Sequence, residues 1–319
     1  MTGESGHGRN AATASRRHRE RGVRYVLRFA ALGYLALLLL VPVALVFYRT
    51  FEHGFHPAWT AVTNPQARHA LWLTLTIAAI AVPLNTLFGV VLGIALVRHR
   101  FPGRGLANAI VDLPLALSPV VVGLALYLLY GTGGWLGGLS EHGIKILFSL
   151  PGMTLATIFV SLPFVVREVV PVLREIGTDQ EQAAETLGAS PFTAFRRITL
   201  PAIRWAVGYG VVLTTARSIG EFGAVSIVSG RIEGKTETLP LYVQSQFEGF
   251  NTTGAFAASV VLALIALVTV LAMRFVEAGS SSTTLFGGRG GSAAAAVVAV
   301  PLQPTEVSET TSTAAKEEL

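Results

Sequence analysis

The chain has 319 residues, 51% of them hydrophobic and only 13% charged, with a mean hydropathy of +0.57. A soluble domain carries about twice that charge, so a free-standing soluble enzyme is excluded and the long apolar runs define a polytopic membrane protein. The pI of 9.8 then reflects topology rather than nucleic-acid binding, and the absence of cysteine excludes disulfides, thiolate metal sites and thiol nucleophiles.

Residues 1–24 form a basic, polar arm, expected to be disordered. The apolar run that follows is longer than the core of a cleaved signal peptide, so the first span is expected to be retained. The apolar pattern predicts six spans in an all-α fold, at roughly 25–48, 70–97, 106–130, 151–170, 204–228 and 253–275. Pro42, Pro83, Pro114, Pro119 and Pro163 lie in or near these spans. Neighbouring helices can satisfy the backbone groups that such prolines free. Residues 276–319, rich in Gly, Ala, Ser and Thr, are expected to be a second disordered segment.

Lys and Arg divide unevenly between the two sides. The N-terminal arm, the 98–105 loop, the 167–204 loop and the C-terminal segment together hold 18, whereas Arg49, Arg68, Lys145, Arg231 and Lys235 make five on the other side. Basic residues collect in the cytoplasm, which places both termini and the 167–204 loop there.

That loop, about 171–203, is charged and helix-forming. Thr178 followed by Glu181 has the spacing of a capping box, and Ala183, Ala184 and Leu187 fall on one helix face. Gly188 suits the left-handed residue that ends a helix. Ser190 can cap a second helix with Pro191 at its first position, Phe192 and Phe195 line one side of it, and Leu200-Pro201 is expected to end the unit. A solvated connector accounts for the charges. A docking surface accounts for both the charges and the exposed aromatics.

The segment resembles the signature of permease subunits of ABC importers: Glu-Ala-Ala, three residues, Gly, nine residues, then Ile-x-Leu-Pro. Ala183, Ala184, Gly188, Ile198, Leu200 and Pro201 fit that spacing. The departure is Gln182, where the family carries Glu, with Glu181 just before it. The stretches PGMTLATIFVSLPFVVREVVP (151–171) and GEFGAVSIVSGRIEGKTETLPLYV (220–243) are similar to one of the two permease subunits of sulfate/thiosulfate importers. Molybdate permeases share some of these elements, so molybdate or tungstate is the alternative cargo. FNTTGAF (250–256) favours sulfate.

The resemblance implies a type I importer permease in a bacterial plasma membrane. It implies a partner permease chain, a dimer of ATPase subunits that bind ATP and Mg, and an extracytoplasmic sulfate-binding protein. It also implies that residues 181–201 couple the chain to the ATPase. This chain would hold no cofactor, metal or catalytic residue of its own.

Arg217 and Glu221 are expected in the fifth span, four residues apart on one helix face. Arg217 is about 20 Å into the helix at the normal rise, where a charge is costly unless paired or wet. Two readings stay open: a structural ion pair, or a cation on a water-filled path that lowers the barrier to an anion. Asp112, Arg167 and Glu168 are expected at interfaces or in packing. GRIEGKT (230–236) has three residues between its glycines where a phosphate loop needs four. A membrane-embedded enzyme lacks a plausible set of groups, because the two aspartates, Asp112 and Asp179, are far apart and all seven histidines lie outside the expected spans.

Overall fold

The computed structural model describes residues 7–281, all helix, turn or loop; the expected segment 276–319 lies outside these from residue 282 onward. The chain divides into two units, Met1–Gly279 and Ser280–Leu319, and the helices below belong to the first save for the last two residues of α13. Helix α1 (His7–Phe51) carries the first span. It begins inside the basic arm, which is therefore helical from His7 rather than unstructured. The arm is rich in Ala and Arg, strong helix formers, and extending a helix already nucleated by the span costs little.

After α2 (Phe55–Thr63) comes α3 (Pro65–Arg98), the longest internal span. Its start is well specified. Asn64 Oδ1 accepts from the Ala67 N–H at 2.6 Å and Pro65 takes the first helical position. The Asn64 amide also donates to the Tyr242 hydroxyl at 2.9 Å, so the cap is tied to a distant element.

The third expected span is not one helix. It is α4 (Arg104–Ala116) and α5 (Pro119–Tyr130), which meet at 111°. Pro119 pushes the residue before it out of the helical region, and Leu117 and Ser118 are extended, with ψ of 142° and 135°. Among the described residues, five helices are long and apolar enough to cross a membrane, or six when the bent pair is counted as one.

A short turn α6 (Gly138–Glu141) leads to α7 (Leu150–Ile176). The loop helices α8 (Asp179–Thr186) and α9 (Pro191–Ala194) follow, then a π-helical turn (Phe195–Thr199), α10 (Leu200–Ile219), α11 (Gly223–Val228), α12 (Leu239–Glu248) and α13 (Thr252–Ser281). The fifth span, expected to reach residue 228, ends at Ile219, and Gly220–Phe222 break it.

Helices α3, α7 and α10 form the heart of the bundle. Apolar side chains gain little by leaving lipid for protein, so close packing decides which faces meet. Gly89 and Gly210 let α3 and α10 approach α7. A Cβ at Gly89 would lie 2.7 Å from Val165 Cβ, and one at Gly210 3.0 Å from Val165 Cα. Asn85 adds a polar tie, donating to Ser161 Oγ at 2.8 Å and to Ile158 O at 3.1 Å. Such bonds contribute on the order of 0.6 kcal/mol each in a membrane.

The buried core divides along the bundle axis. Leu73, Ile77, Met153, Val160, Val225 and Leu241 pack at one end. Val90, Val165, Val169, Leu173 and Ile203 pack at the end that carries the 177–199 loop. Apolar residues of α1 from Leu27 to Leu45 remain exposed in this chain.

Candidate coupling loop and its anchorage

The loop is built from two turns of opposite character. Helix α8 ends in a Schellman motif: Gly188 N–H donates to Glu185 O at 2.9 Å, Ala189 N–H donates to Ala184 O at 3.0 Å, and Gly188 has φ of +86°. Ser190 then caps α9, its hydroxyl accepting from the Thr193 N–H at 3.3 Å with Pro191 in the first position.

The capping box expected at Thr178 and Glu181 does not form. Thr178 makes no side-chain cap, and its hydroxyl instead accepts from the Gln182 amide at 3.0 Å. Glu181 turns toward the bundle. Its carboxylate grips Arg98, the last residue of α3, with Arg98 Nε at 2.9 Å from Oε2 and Nη2 at 3.1 Å from Oε1. Thr199 Oγ1 donates to the same Oε1 at 2.6 Å. A charged guanidinium, hydrogen-bonded through Nη2, together with the Thr199 hydroxyl is a stronger set of partners for a carboxylate than one backbone N–H, which explains why the local cap loses.

Leu200-Pro201 does not end the unit either. The helical path from Pro191 to Ile219 is continuous. Pro201 has no N–H to donate and its ring crowds the carbonyl four residues back. The helix takes up the mismatch as a π turn, in which Leu200 N–H reaches Phe195 O.

The expected pair of exposed aromatics is split. Phe192 is 69% exposed, whereas Phe195 packs against the core at the loop end of the bundle. The second protruding apolar residue is Leu187, at 88% exposure, just before the Gly188 bend. Gln182 and Ala183 are exposed, Ala184 and Ile198 half-buried, and Leu200 and Pro201 exposed. Leu187 and Phe192 are thus the two apolar side chains that project from the bend. Phe195 belongs to its foundation.

At the far end of α10, Arg217 Nη2 lies 2.8 Å from Glu221 Oε2. The two do not share a helix face, because α10 has ended at Ile219. Glu221 sits in the break, and its Oε1 accepts from the Ala224 N–H at 2.9 Å in the first turn of α11. One carboxylate therefore holds both helices flanking the break. A second pair, Arg167 Nε to Asp112 Oδ1 at 3.0 Å, links α7 to α4 on an exposed face.

Two features escaped sequence reasoning. Arg98 carried no signal beyond membership of a basic loop, since its partner lies 83 residues away. Leu187 was visible as a helix-face residue, but its exposure depends on how the Gly188 bend is presented. The phosphate-loop lookalike is closed on itself: Thr236 Oγ1 donates to Ser229 O at 2.6 Å and accepts from the Ile232 N–H at 3.1 Å. Among the described residues no cluster of side chains suits a metal ion.

Comparison with known proteins agrees with this architecture. Residues 85–281 match the family of binding-protein-dependent transport system inner membrane components. The chain is 51% identical over 256 residues to the sulfate transport system permease protein CysW of Synechocystis sp., covering 80% of this chain and 93% of that one. It is 39% identical over 251 residues to the sulfate transport system permease protein CysT of Salmonella typhimurium, covering 77% and 91%. The crystal structure of a bacterial ABC transporter that imports the acidic polysaccharide alginate superposes with a TM-score of 0.69 at 18% identity, over 85% of this chain and 99% of that one. That likeness establishes the fold, a type I importer permease. With its broken spans, its Ala-Ala-x-x-x-Gly bend and its family match, the chain belongs to the binding-protein-dependent transport inner membrane components, the permease subunits of ABC importers, in their sulfate-transport branch.

Proposed function

We propose that this chain is the transmembrane permease subunit of an ATP-driven importer that takes up sulfate and thiosulfate across a bacterial plasma membrane by alternating access. The observation that carries this reading is 51% identity to a sulfate permease along nearly that relative's whole length. It favours sulfate over molybdate or tungstate as cargo.

The mechanism follows from the two ends of the bundle. Leu187 and Phe192 present an apolar knob on a polar loop, the kind of anchor that seats in a groove. The groove would belong to an ATPase subunit, two of which bind ATP and Mg and hydrolyse it. This chain supplies no chemistry of its own. ATP binding closes the ATPase pair and pushes the loop, and the bundle switches between two arrangements of similar energy. The uncovered apolar surface of α1 suits contact with lipid and with a second permease chain. A sulfate-binding protein would deliver cargo at the end opposite the loop.

Deleting the gene tests the cargo. The strain should require reduced sulfur when sulfate is the sole source, while its molybdenum enzymes stay active at low molybdate. The reverse phenotype overturns the sulfate reading.

A further inference from the structure

We propose that Arg98 is the joint through which movement of the 177–199 loop enters the bundle, by clamping the loop to the ends of α3 and α7. The proposal rests on the coupling role given to the loop above and adds a residue outside it.

The geometry is specific. The Arg98 guanidinium presents two edges. One pairs with both carboxylate oxygens of Glu181 on α8, at 2.9 and 3.1 Å. Its remaining Nη1 donates to the carbonyl of Leu173 near the end of α7, at 3.1 Å. Glu181 in turn accepts from Thr199 in the π turn that opens into α10. Arg98 therefore ties α3, α7 and α8, and Glu181 extends the tie to the π turn at the foot of α10. The pair is sheltered, with side-chain exposures of 11% for Arg98 and 20% for Glu181, so water competes weakly for it.

A clamp of this kind changes what a push on the loop does. Helix α8 has no buried residue and bends sharply at Gly188, so without a tie it could pivot and absorb the displacement. With Arg98 in place, α8 moves with α3 and α7, which pack together at Gly89, and α7 in turn packs on α10 at Gly210. Thus Leu187 and Phe192 would make the contact, and Arg98 would transmit it. Lysine offers one point charge where the guanidinium reaches the Glu181 carboxylate and the Leu173 carbonyl at once, so it restores the tie only in part.

The test uses the assembled transporter, with its ATPase, partner permease and binding protein, in proteoliposomes. Four quantities are measured: ATPase co-purified per permease, ATP hydrolysis, sulfate uptake, and uptake per ATP. Arg98→Gln should keep the ATPase bound and hydrolysing, while uptake per ATP falls at least tenfold. Arg98→Lys should recover part of that loss. The double variant Leu187→Ala/Phe192→Ala should instead lose the ATPase; if it does not, the docking reading fails, whatever Arg98 does. Parental uptake per ATP in Arg98→Gln overturns the joint. So does loss of the ATPase from both Arg98 variants, which would make the clamp a shape requirement for docking. If Arg98→Gln accumulates too little protein, Arg98→Lys is read alone: a coupling ratio equal to the parent's overturns the proposal, as does failure of both variants to accumulate.

Discussion

Arg217 and Glu221 meet at 2.8 Å across the end of α10, but only the arginine retains exposure, 32% against 1% for the carboxylate. The pair is thus asymmetric. Removing Arg217 strands a buried carboxylate, which costs about 3–5 kcal/mol. Replacing Glu221 by Gln removes the charge and leaves Oε1 to accept from the Ala224 N–H. Arg217→Leu should therefore reduce the amount of folded protein more than Glu221→Gln does. The double variant Arg217→Leu/Glu221→Gln should recover much of it. Membrane abundance, followed by size-exclusion profile in detergent, measures this. Uptake by the abundant double variant then separates the roles: normal uptake makes Arg217 structural, and lost uptake places it on the anion path or gate. Equal abundance of all variants would mean that the pair contributes nothing.

The Gly188 bend gives a second test. A side chain there would meet open space, since nothing lies within 4 Å of an added Cβ. The cost is therefore purely that of the left-handed backbone, about 1–2 kcal/mol for an L-residue and more for a β-branched one. Gly188→Val should leave the spans inserted and the protein abundant, while uptake and ATPase co-purification fall sharply. Gly188→Ala should fall between Val and the parent. Wild-type uptake in Gly188→Val would show that the bend has no part in coupling.

The sequence made some of this legible and hid the rest for physical reasons. Hydrophobic spans are local properties, so the first, second, fourth and sixth were readable in place to within about six residues, whereas the third is bent and the fifth stops nine residues early. The Schellman bend at Gly188 is likewise local. Misreadings arose where a distant partner outcompeted a local pattern. Glu181 left its capping box for Arg98, Phe195 left the loop surface for the core, and Glu221 bridges a helix break that the apolar run conceals. Pro119 is visible in the sequence, but a proline near a helix end can either kink a span or break it. The bend of 111° depends on what α5 packs against.

Close packing around Val165 supports a third prediction. Gly89 and Gly210 contact the same valine from opposite helices. At Gly89 the clash is with side-chain atoms of Val165 and a backbone nitrogen beyond them, and at Gly210 it is with the α7 backbone itself. Neither the Val165 Cβ, 2.7 Å from an added carbon at Gly89, nor its Cα, 3.0 Å from one at Gly210, moves when the valine side chain rotates. Gly210→Leu puts a whole side chain where even a Cβ is crowded, and should lower the thermal unfolding midpoint of the detergent-solubilised chain by several degrees or more. Gly89→Ala, which adds a single carbon against Val165, should be milder. A midpoint unchanged in Gly210→Leu would show that α7 and α10 are not packed as described.

The last prediction concerns sidedness. Arg98 reaches Glu181, so the 98–105 and 167–204 loops share one end of the bundle, and these are two of the segments that carry the excess of basic residues. Helix α10 then runs from that end to the break at Gly220, and α12 packs with the starts of α3 and α13 at the other. Ala183 and Glu248, both exposed, should therefore lie on opposite sides of the membrane. The chain contains no cysteine, so a single introduced thiol reports without background. Ala183→Cys, expressed without the ATPase so that nothing covers the loop, should react with a membrane-impermeant thiol reagent only in inverted vesicles. Glu248→Cys should react only in right-side-out cells. Reaction of both from one side would require an odd number of crossings between them to become even, and the topology would have to be redrawn. If the sides were exchanged, the six-crossing fold would stand but the basic-residue rule would have failed for this chain, and the loop could not face an ATPase in the cytoplasm.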